Sequence, residues 1–523
     1  MHSLLDDPLI DIDTPDGPAS VALPALLGGL VTDRVLGYSG LRAHQADPWH
    51  VFLVQIAASI LARQPEIDPA QPPTDAAFWR AGLLDLAEGM ESAWHLVVED
   101  PTQPAFMQHP LRDAAELKAF KSKARTPDEL DILVTSKNHD VKMARARADD
   151  PQTWLFALMI YQTMSGVLGA GNFGTLRMNT GSASRPIVGM VRDLVPAPRF
   201  REELAQVADM RTQTLESALG YAPRGVVLTW VRPWGRKDHQ YSLSELEPGF
   251  IEAVRPVRLI HGEAGLIAMG STSDVRQIGP KALGNGDIAD PWIPINTADK
   301  KKGRSALTLS GQGWTPERLC DVLFERGFEL TALQKPRPGQ GALWFYGSVL
   351  VRGQGTTEGF HRFAIPVPAK ARGWLSRPDD KQRLGALAQD LIGDAKSIAR
   401  QLRSALLALA EGGPDAIDFK HKAINAWIAR GEEALTRHWR DRFFDTLWRA
   451  ADDAHDAVRT DWRAELAART FDILRQAEQT LPLPHNRQYR ARVRAEGLLH
   501  ALLKKNGLIP APATPAPTKE DAA

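Results

Sequence analysis

Leu, Ile and Val flank Asp16-Gly17 over Ser3 to Leu27, a pattern that predicts a short strand, a tight turn and a second strand. Beyond it the apolar positions adopt helical spacing. Trp49, Leu53, Ile56 and Ile60 recur on one face, with Asp47 placed as a cap and Pro48 in the first turn, where a missing N–H costs nothing. A second helix is predicted from near Thr74. PAFMQHP (Pro104 to Pro110) is expected to be extended by its prolines, followed by a basic helix-like piece with Lys118, Lys121, Lys123 and Arg125. From Leu133 to Asp150 no apolar period survives, which predicts a long exposed loop. Trp154 to Met164 is apolar nearly all round and predicts a buried helix, and a further helix is predicted from Phe200 to Leu219.

The character changes between Arg224 and Val367. Short runs such as GVVLTWV, FIEAVRPVRLI, GLIAMGS, LWFYGSVLV and RFAIPV are rich in β-branched and aromatic residues and are separated by Gly, Pro, Asn and Asp. Two connections are unusual: IGPKALGNGDIADPWIPI carries Lys281 among glycines, and RGQGTTEG sets Gln354 between two glycines at an expected hairpin tip. Leu375 to Asp380 reads as a boundary. After it, Leu384, Leu387, Leu391, Ile398, Leu402, Leu406 and Leu409 keep helical spacing until Gly412-Gly413-Pro414 stops them. Three more amphipathic helices follow, the last from about Asn486 to Lys505. The expected fold is therefore α+β: a mixed N-terminal domain (1–375) with short antiparallel strands, then a C-terminal four-helix bundle (380–506). A Pro/Ala-rich tail (507–523) is expected to be disordered.

Composition narrows the chemistry. At 523 residues, 63 Lys and Arg against 63 Asp and Glu leave a net charge of zero, so binding to nucleic acid must come from local patches. The single cysteine, Cys320, leaves no disulfide framework and no multi-cysteine metal site, and fits a reducing cytoplasm. No apolar run reaches bilayer length, and the first residues are acidic where a signal peptide would be basic, so no membrane partner is expected.

The densest candidate chemistry is Gly169 to Val188, GAGNFGTLRMNTGSASRPIV. Glycines allow the backbone close to a partner and permit positive φ, so main-chain N–H groups can face a polyanion, with Arg177 and Arg185 adding charge as phosphate contacts. The same run also suits a long surface turn. Gly169, Gly171 and Gly174 spell GxGxxG, with Asp193 at the spacing of a ribose-binding acid, but a helix precedes the glycines where a dinucleotide site needs a strand. In the last helix Arg487, Arg490 and Arg494 share one side, spaced to follow a phosphate backbone; a solvated face has the same spacing.

Several stretches together resemble CasA, the large subunit of the type I-E CRISPR surveillance complex Cascade. SLLDDPLIDI, PAFMQ, NFGTLRMNTGSASRPIVG, RPVRLI and IGPKALGNGDIADPWIPI, with the helical C-terminus, follow that family's order over nearly the whole chain. The resemblance implies a subunit without catalysis or cofactor. It would read the protospacer-adjacent motif (PAM) in duplex DNA from the minor groove, start strand separation and help recruit the helicase-nuclease. Its implied partners are the guide CRISPR RNA, double-stranded target DNA, the Cascade backbone and small subunits, and that effector. By local match the family's glycine loop falls on Gly171, Asn172, Phe173 and Gly174, its lysine finger on Lys281 and its glutamine wedge on Gln354. Ser136, Lys137, Asn138 and His139 match the loop that anchors the subunit to the guide-RNA handle and backbone subunit. Two departures stand out: the chain cannot form the cysteine cluster of some members, and Asn172 and Thr175 dilute the glycine block. Two other classes remain open: a nucleic-acid-processing enzyme using His361 or the Asp287 to Asp290 region, and a helical scaffold with solvated basic faces.

Overall fold

The computed structural model describes residues 2–131, 150–179, 184–235, 239–263, 265–279, 285–299, 301, 303–337, 339–352, 357–413, 417–418, 424–481 and 485–509. Ser136, Lys137, Asn138, His139, Lys281, Gln354 and residues 510–523 of the expected tail lie outside them. The chain divides into two units, Met1–Trp314 with Asp321–Val367, and Thr315–Cys320 with Pro368–Ala523.

In the first unit, β1 (Ile10–Thr14) and β2 (Gly17–Val21) form the expected hairpin, with Thr14 opposite Gly17 and Gly17 at φ 117°. Helices α1 (Leu23–Val31), α2 (Ala43–Leu61) and α3 (Ala76–Leu86) follow. α2 starts four residues before the expected cap. Gln45 Oε1 accepts from Arg42 N at 2.9 Å to close its N-terminus, so Pro48 lies inside the helix and Asp47 instead pairs with Arg199 at 2.7 Å. Asp75 caps α3 in the ordinary way, accepting from Ala77 N at 3.1 Å.

The PAFMQ block is not extended. Met107 has φ 55° and Ala105 bridges back to Gln108, a turn that drives Phe106 into the core. There it meets Phe52 edge to face at 5.8 Å and Trp230 at 5.9 Å, while Trp94 and Trp230 satisfy their indole N–H groups on Leu83 O and Ala93 O. The basic piece after it also departs from a helix: a short 3-10 turn (Ala114–Ala119) gives way to β3 (Ser122–Ala124), which pairs with β8 (Gly265–Gly270) beside β7 (Val257–Gly262).

Two more helices, α4 (Pro127–Leu130) and α5 (Pro151–Thr163), flank the residues that are not described, and α5 is buried as expected. The strand β4 (Pro186–Val191), buried throughout, precedes α6 (Pro196–Glu216), whose entry Asp193 stabilises by accepting from Val195 N at 2.9 Å. That is a turn-capping task, consistent with rejecting the ribose role. Short strands β5 (Val226–Leu228) and β6 (Leu246–Ile251) pair in parallel, and β9 (Ile295–Asn296), β10 (Ser305–Ala306) and β11 (Phe328–Glu329) form a small antiparallel sheet around β9. Helix α7 (Pro316–Leu323) lies between β10 and β11 in the chain. The longest strands, β12 (Leu343–Arg352) and β13 (Thr357–Val367), pair antiparallel, with β4 on the other edge of β12.

In the second unit α8 (Ala369–Leu375) packs on the bundle's first helix. That helix, α9 (Pro378–Ala410), packs against each of α10 (Asn425–Arg449), α11 (His455–Thr480) and α12 (His485–Lys505). Gly413 N reaches back to Ala408 O at 2.9 Å with both glycines at positive φ, the expected stop signal. On the polar flank Asp394 of α9 takes two arginines of α11 at once, Arg459 Nε at 2.7 Å and Arg463 Nε at 2.8 Å.

Candidate nucleic-acid interface

α5 delivers the glycine-rich segment. Trp154, Leu155, Phe156, Leu158, Met159 and Ile160 leave this helix no polar face, so it is held rigidly in the core, and the chain must turn where it ends. It turns on Gly169 at φ 109° and Gly171 at φ 75°, conformations that side chains rarely adopt, with Asn172 N donating to Gly169 O at 3.1 Å. At Gly171 space is also short: a Cβ there would lie 2.8 Å from that of Thr272. Thr175 N then donates to Ser165 O at 3.1 Å and folds the segment onto its own start. Gly171, Asn172 and Phe173 are partly exposed; Gly174 to Met178 are buried.

Arg177 and Arg185 are a correction. They are 2% and 4% exposed, so neither reaches a phosphate on the surface. Both converge on Asp290, Arg177 Nη1 at 2.8 Å and Arg185 Nη2 at 3.2 Å, while the Arg177 guanidinium lies 4.2 Å from the centroid of the Phe250 ring. Glu252 closes the other side, accepting from Leu176 N at 2.8 Å and from the Thr175 hydroxyl. Burial would raise the pKa of Asp290, but Arg177 and Arg185 outweigh it and hold the carboxyl below its usual range. At Glu252 burial wins over the Thr175 and Leu176 hydrogen bonds and the pKa is raised. These groups act as an internal frame that fixes the back of the glycine segment.

The chain on both sides of Lys281 is fixed to that same segment. Upstream, Ser273 N donates to Gly171 O at 2.9 Å, and the Arg276 guanidinium stands 5.0 Å from the centroid of Phe173. Downstream, Gly286 at φ 73° lies so close to Met178 that a Cβ would meet its carbonyl carbon at 2.8 Å. Lys281 itself is outside the described residues. So is Gln354, but the strand ends beside it are described: β12 and β13 stay paired to Arg352 and Thr357, while β4 begins opposite Val349. Those ends therefore continue past the point where the glycine-rich stretch enters the sheet. β12 is anchored by the Tyr346 hydroxyl on Glu203, a buried carboxylate that also meets His50 at 3.1 Å and accepts from Arg199 Nε and Trp292 Nε1, both at 2.9 Å.

In the second unit Arg487, Arg490 and Arg494 are exposed, while Ala491, Ala495, Leu499 and Leu503 of the same helix are fully buried. Two residues that sequence reasoning passed over stand out. Arg276 lies five residues before Lys281 and packs on Phe173; its place in RQIGPKALG was the available signal. Tyr489 is 69% exposed with Arg492 over its ring at 5.4 Å, and only its position off the apolar stripe could have marked it.

For the enzyme reading, Asp290 is held by Arg177 and Arg185, and Asp287 by Arg304 at 2.7 Å. His361 is half-buried against Gly313. Among the described residues no group of three or more His, Cys, Asp or Glu could hold a metal ion, and no helix is long and apolar enough to cross a membrane.

No family model matches the chain. No curated protein matches it in sequence. Solved structures do match it in shape. The crystal structure of CasA from Thermus thermophilus has a TM-score of 0.63 at 14% identity, over 96% of this chain and 99% of that one. The chain has the CasA fold. The CRISPR-associated protein Cse1 from Acidimicrobium ferrooxidans has a TM-score of 0.58 at 15% identity over 98% of this chain and 99% of that one. Thermobifida fusca Cse1 has a TM-score of 0.60 at 15% identity, over 97% and 98%. The likeness to CasA and Cse1 spans nearly the full length of every chain compared, so the α+β part and the helical C-terminus both belong to it.

Proposed function

We propose that this chain is the large subunit of a type I-E CRISPR surveillance complex, where it reads the PAM in duplex DNA and starts strand separation. The observation that carries the reading is that the chain on both sides of Lys281 is bonded or packed to the glycine segment 171–178, in a molecule with the CasA fold. The partly exposed turn Gly171 to Phe173 brings the main chain close to the groove, and Lys281 adds one charged donor. That set suits the minor groove, whose pattern distinguishes mainly A·T from G·C and so admits several related motifs. Gln354, set between two glycines, acts as a wedge between base steps, and unstacking there costs a few kcal/mol that guide pairing recovers. Arg487, Arg490 and Arg494 hold phosphates without regard to sequence. Ser136, Lys137, Asn138 and His139 join the chain to the guide-RNA handle and the backbone subunit, and the subunit recruits a helicase-nuclease without chemistry of its own. The zero net charge suits a subunit whose DNA affinity is shared with its assembly.

Reconstitution tests this. A guide-loaded complex assembled from its genomic neighbours should bind target duplex in a PAM-dependent way only when this chain is present. PAM-dependent binding of equal strength without it would overturn the reading.

A further inference from the structure

A cleft of about 600 Å³ opens beside the glycine-rich segment, within the usual size of small-ligand sites. One wall is the stretch Ser271 to Val275, whose Ser273 is bonded to Gly171 O at 2.9 Å. Phe120 and Trp234 also line it. Trp234 is clamped at its edge: Nε1 donates to Ser273 Oγ at 3.0 Å and Val275 O at 3.2 Å, and the ring meets His109 edge-on at 4.9 Å. The hydroxyls of Ser271, Thr272 and Ser273 add donors and acceptors.

The basic cluster that the sequence set apart borders this cleft. Lys118, Lys121 and Lys123 are exposed and flank Phe120 in the chain, and β3, which carries Lys123, pairs Ser122 with Gly270, the residue before Ser271. The lining itself holds two acids, Glu116 and Asp274, and one cation, Arg112, which meets Glu116 at 3.9 Å. Aromatic faces, hydroxyls and a line of cations are what a single nucleic-acid strand needs: any base stacks on an aromatic ring, and lysines follow its phosphates.

We propose that this cleft receives one unstacked base of a DNA single strand, with Trp234 as its stacking partner and Lys118, Lys121 and Lys123 along the phosphates. The proposal rests on the reading that Gly171 to Gly174 meet duplex DNA, since a base pair opened there leaves a base beside the wall that Ser273 shares with Gly171.

The test uses the full chain and a short single strand whose only base is 2-aminopurine in an otherwise abasic backbone, with a fully abasic strand as reference. The chain binds the strand with a base about tenfold more tightly than the abasic one, and 2-aminopurine emission changes on binding. Trp234→Ala abolishes both differences, whereas Trp234→Phe keeps most of them. Lys121→Glu with Lys123→Glu, both at exposed positions, lowers the salt dependence of binding and leaves the denaturation midpoint unchanged. Equal affinity for the two strands, or a Trp234→Ala protein of native midpoint that still prefers the base, overturns the proposal. If the cleft fails this test while the assembled complex still needs the chain for PAM-dependent binding, the subunit reading stands alone. If the complex does not need the chain but base preference depends on Trp234, the subunit reading falls and the cleft remains.

Discussion

Arg177 and Arg185 beside the glycine segment and Arg487, Arg490 and Arg494 on α12 look alike in the sequence, each set a candidate phosphate contact on charge and spacing alone. In the structure they have opposite fates. The first pair is buried on Asp290, which lies 113 residues beyond Arg177. The second set stays on the surface of a bundle whose buried acid, Asp394, is occupied by Arg459 and Arg463 of another helix. Whether an arginine is buried on an acid or stays at the surface is thus decided by residues distant in the sequence. The local sequence around the arginine does not contain that information.

The sharpest way to break this contrast is to remove the acids. Asp290→Ala leaves two buried guanidiniums without a charge partner and should cost about 3 to 5 kcal/mol, read from denaturant midpoints. Asp394→Ala strikes a pair of arginines that are each about one-third exposed, so about 1 to 2 kcal/mol is expected by the same measurement. Acid should separate the frame from the surface set in the same direction. The Asp290 pKa is depressed in the folded state, so its stabilisation is complete above the ordinary aspartate value and is lost as pH falls through the folded value. Wild-type stability should therefore decline below about pH 4 more steeply than that of Asp290→Ala, with equal slopes counting against the frame. Last, replacing Arg487, Arg490 and Arg494 together by Ala should cost at most about 0.5 kcal/mol per residue, the scale of surface contacts. The same triple variant should reduce the log–log salt slope of DNA binding by the assembled complex by about 2 to 3.

Strong periodicity made much of the fold legible. The Asp16-Gly17 hairpin, the nearly all-apolar α5 and the four bundle helices follow from local patterns whose burial needs no remote information. Other features depended on distant partners. Pro48 sits inside α2 because Gln45 closes the N-terminus ahead of it, and the PAFMQ block turns at Met107 because Phe106 has Phe52 and Trp230 to pack against. Lys123 joined a strand rather than a helix because β8 offered it an edge. At the site, the glycines were legible from their need for positive φ and close approach, as Gly171 against Thr272 illustrates. The burial of Arg177 and Arg185 was not, since only the folded chain brings Asp290 to them.

In the proposed function the glycine segment works with Lys281 and Gln354 on one DNA groove. The rate of R-loop formation by guide-loaded complex carrying Lys281→Ala or Gln354→Ala, measured across PAM variants, tests it most directly. Each substitution should cost about 1 to 3 kcal/mol of PAM-dependent binding and slow strand opening accordingly. Wild-type rates for both variants on every PAM would mean that Lys281 and Gln354 do not act at that groove.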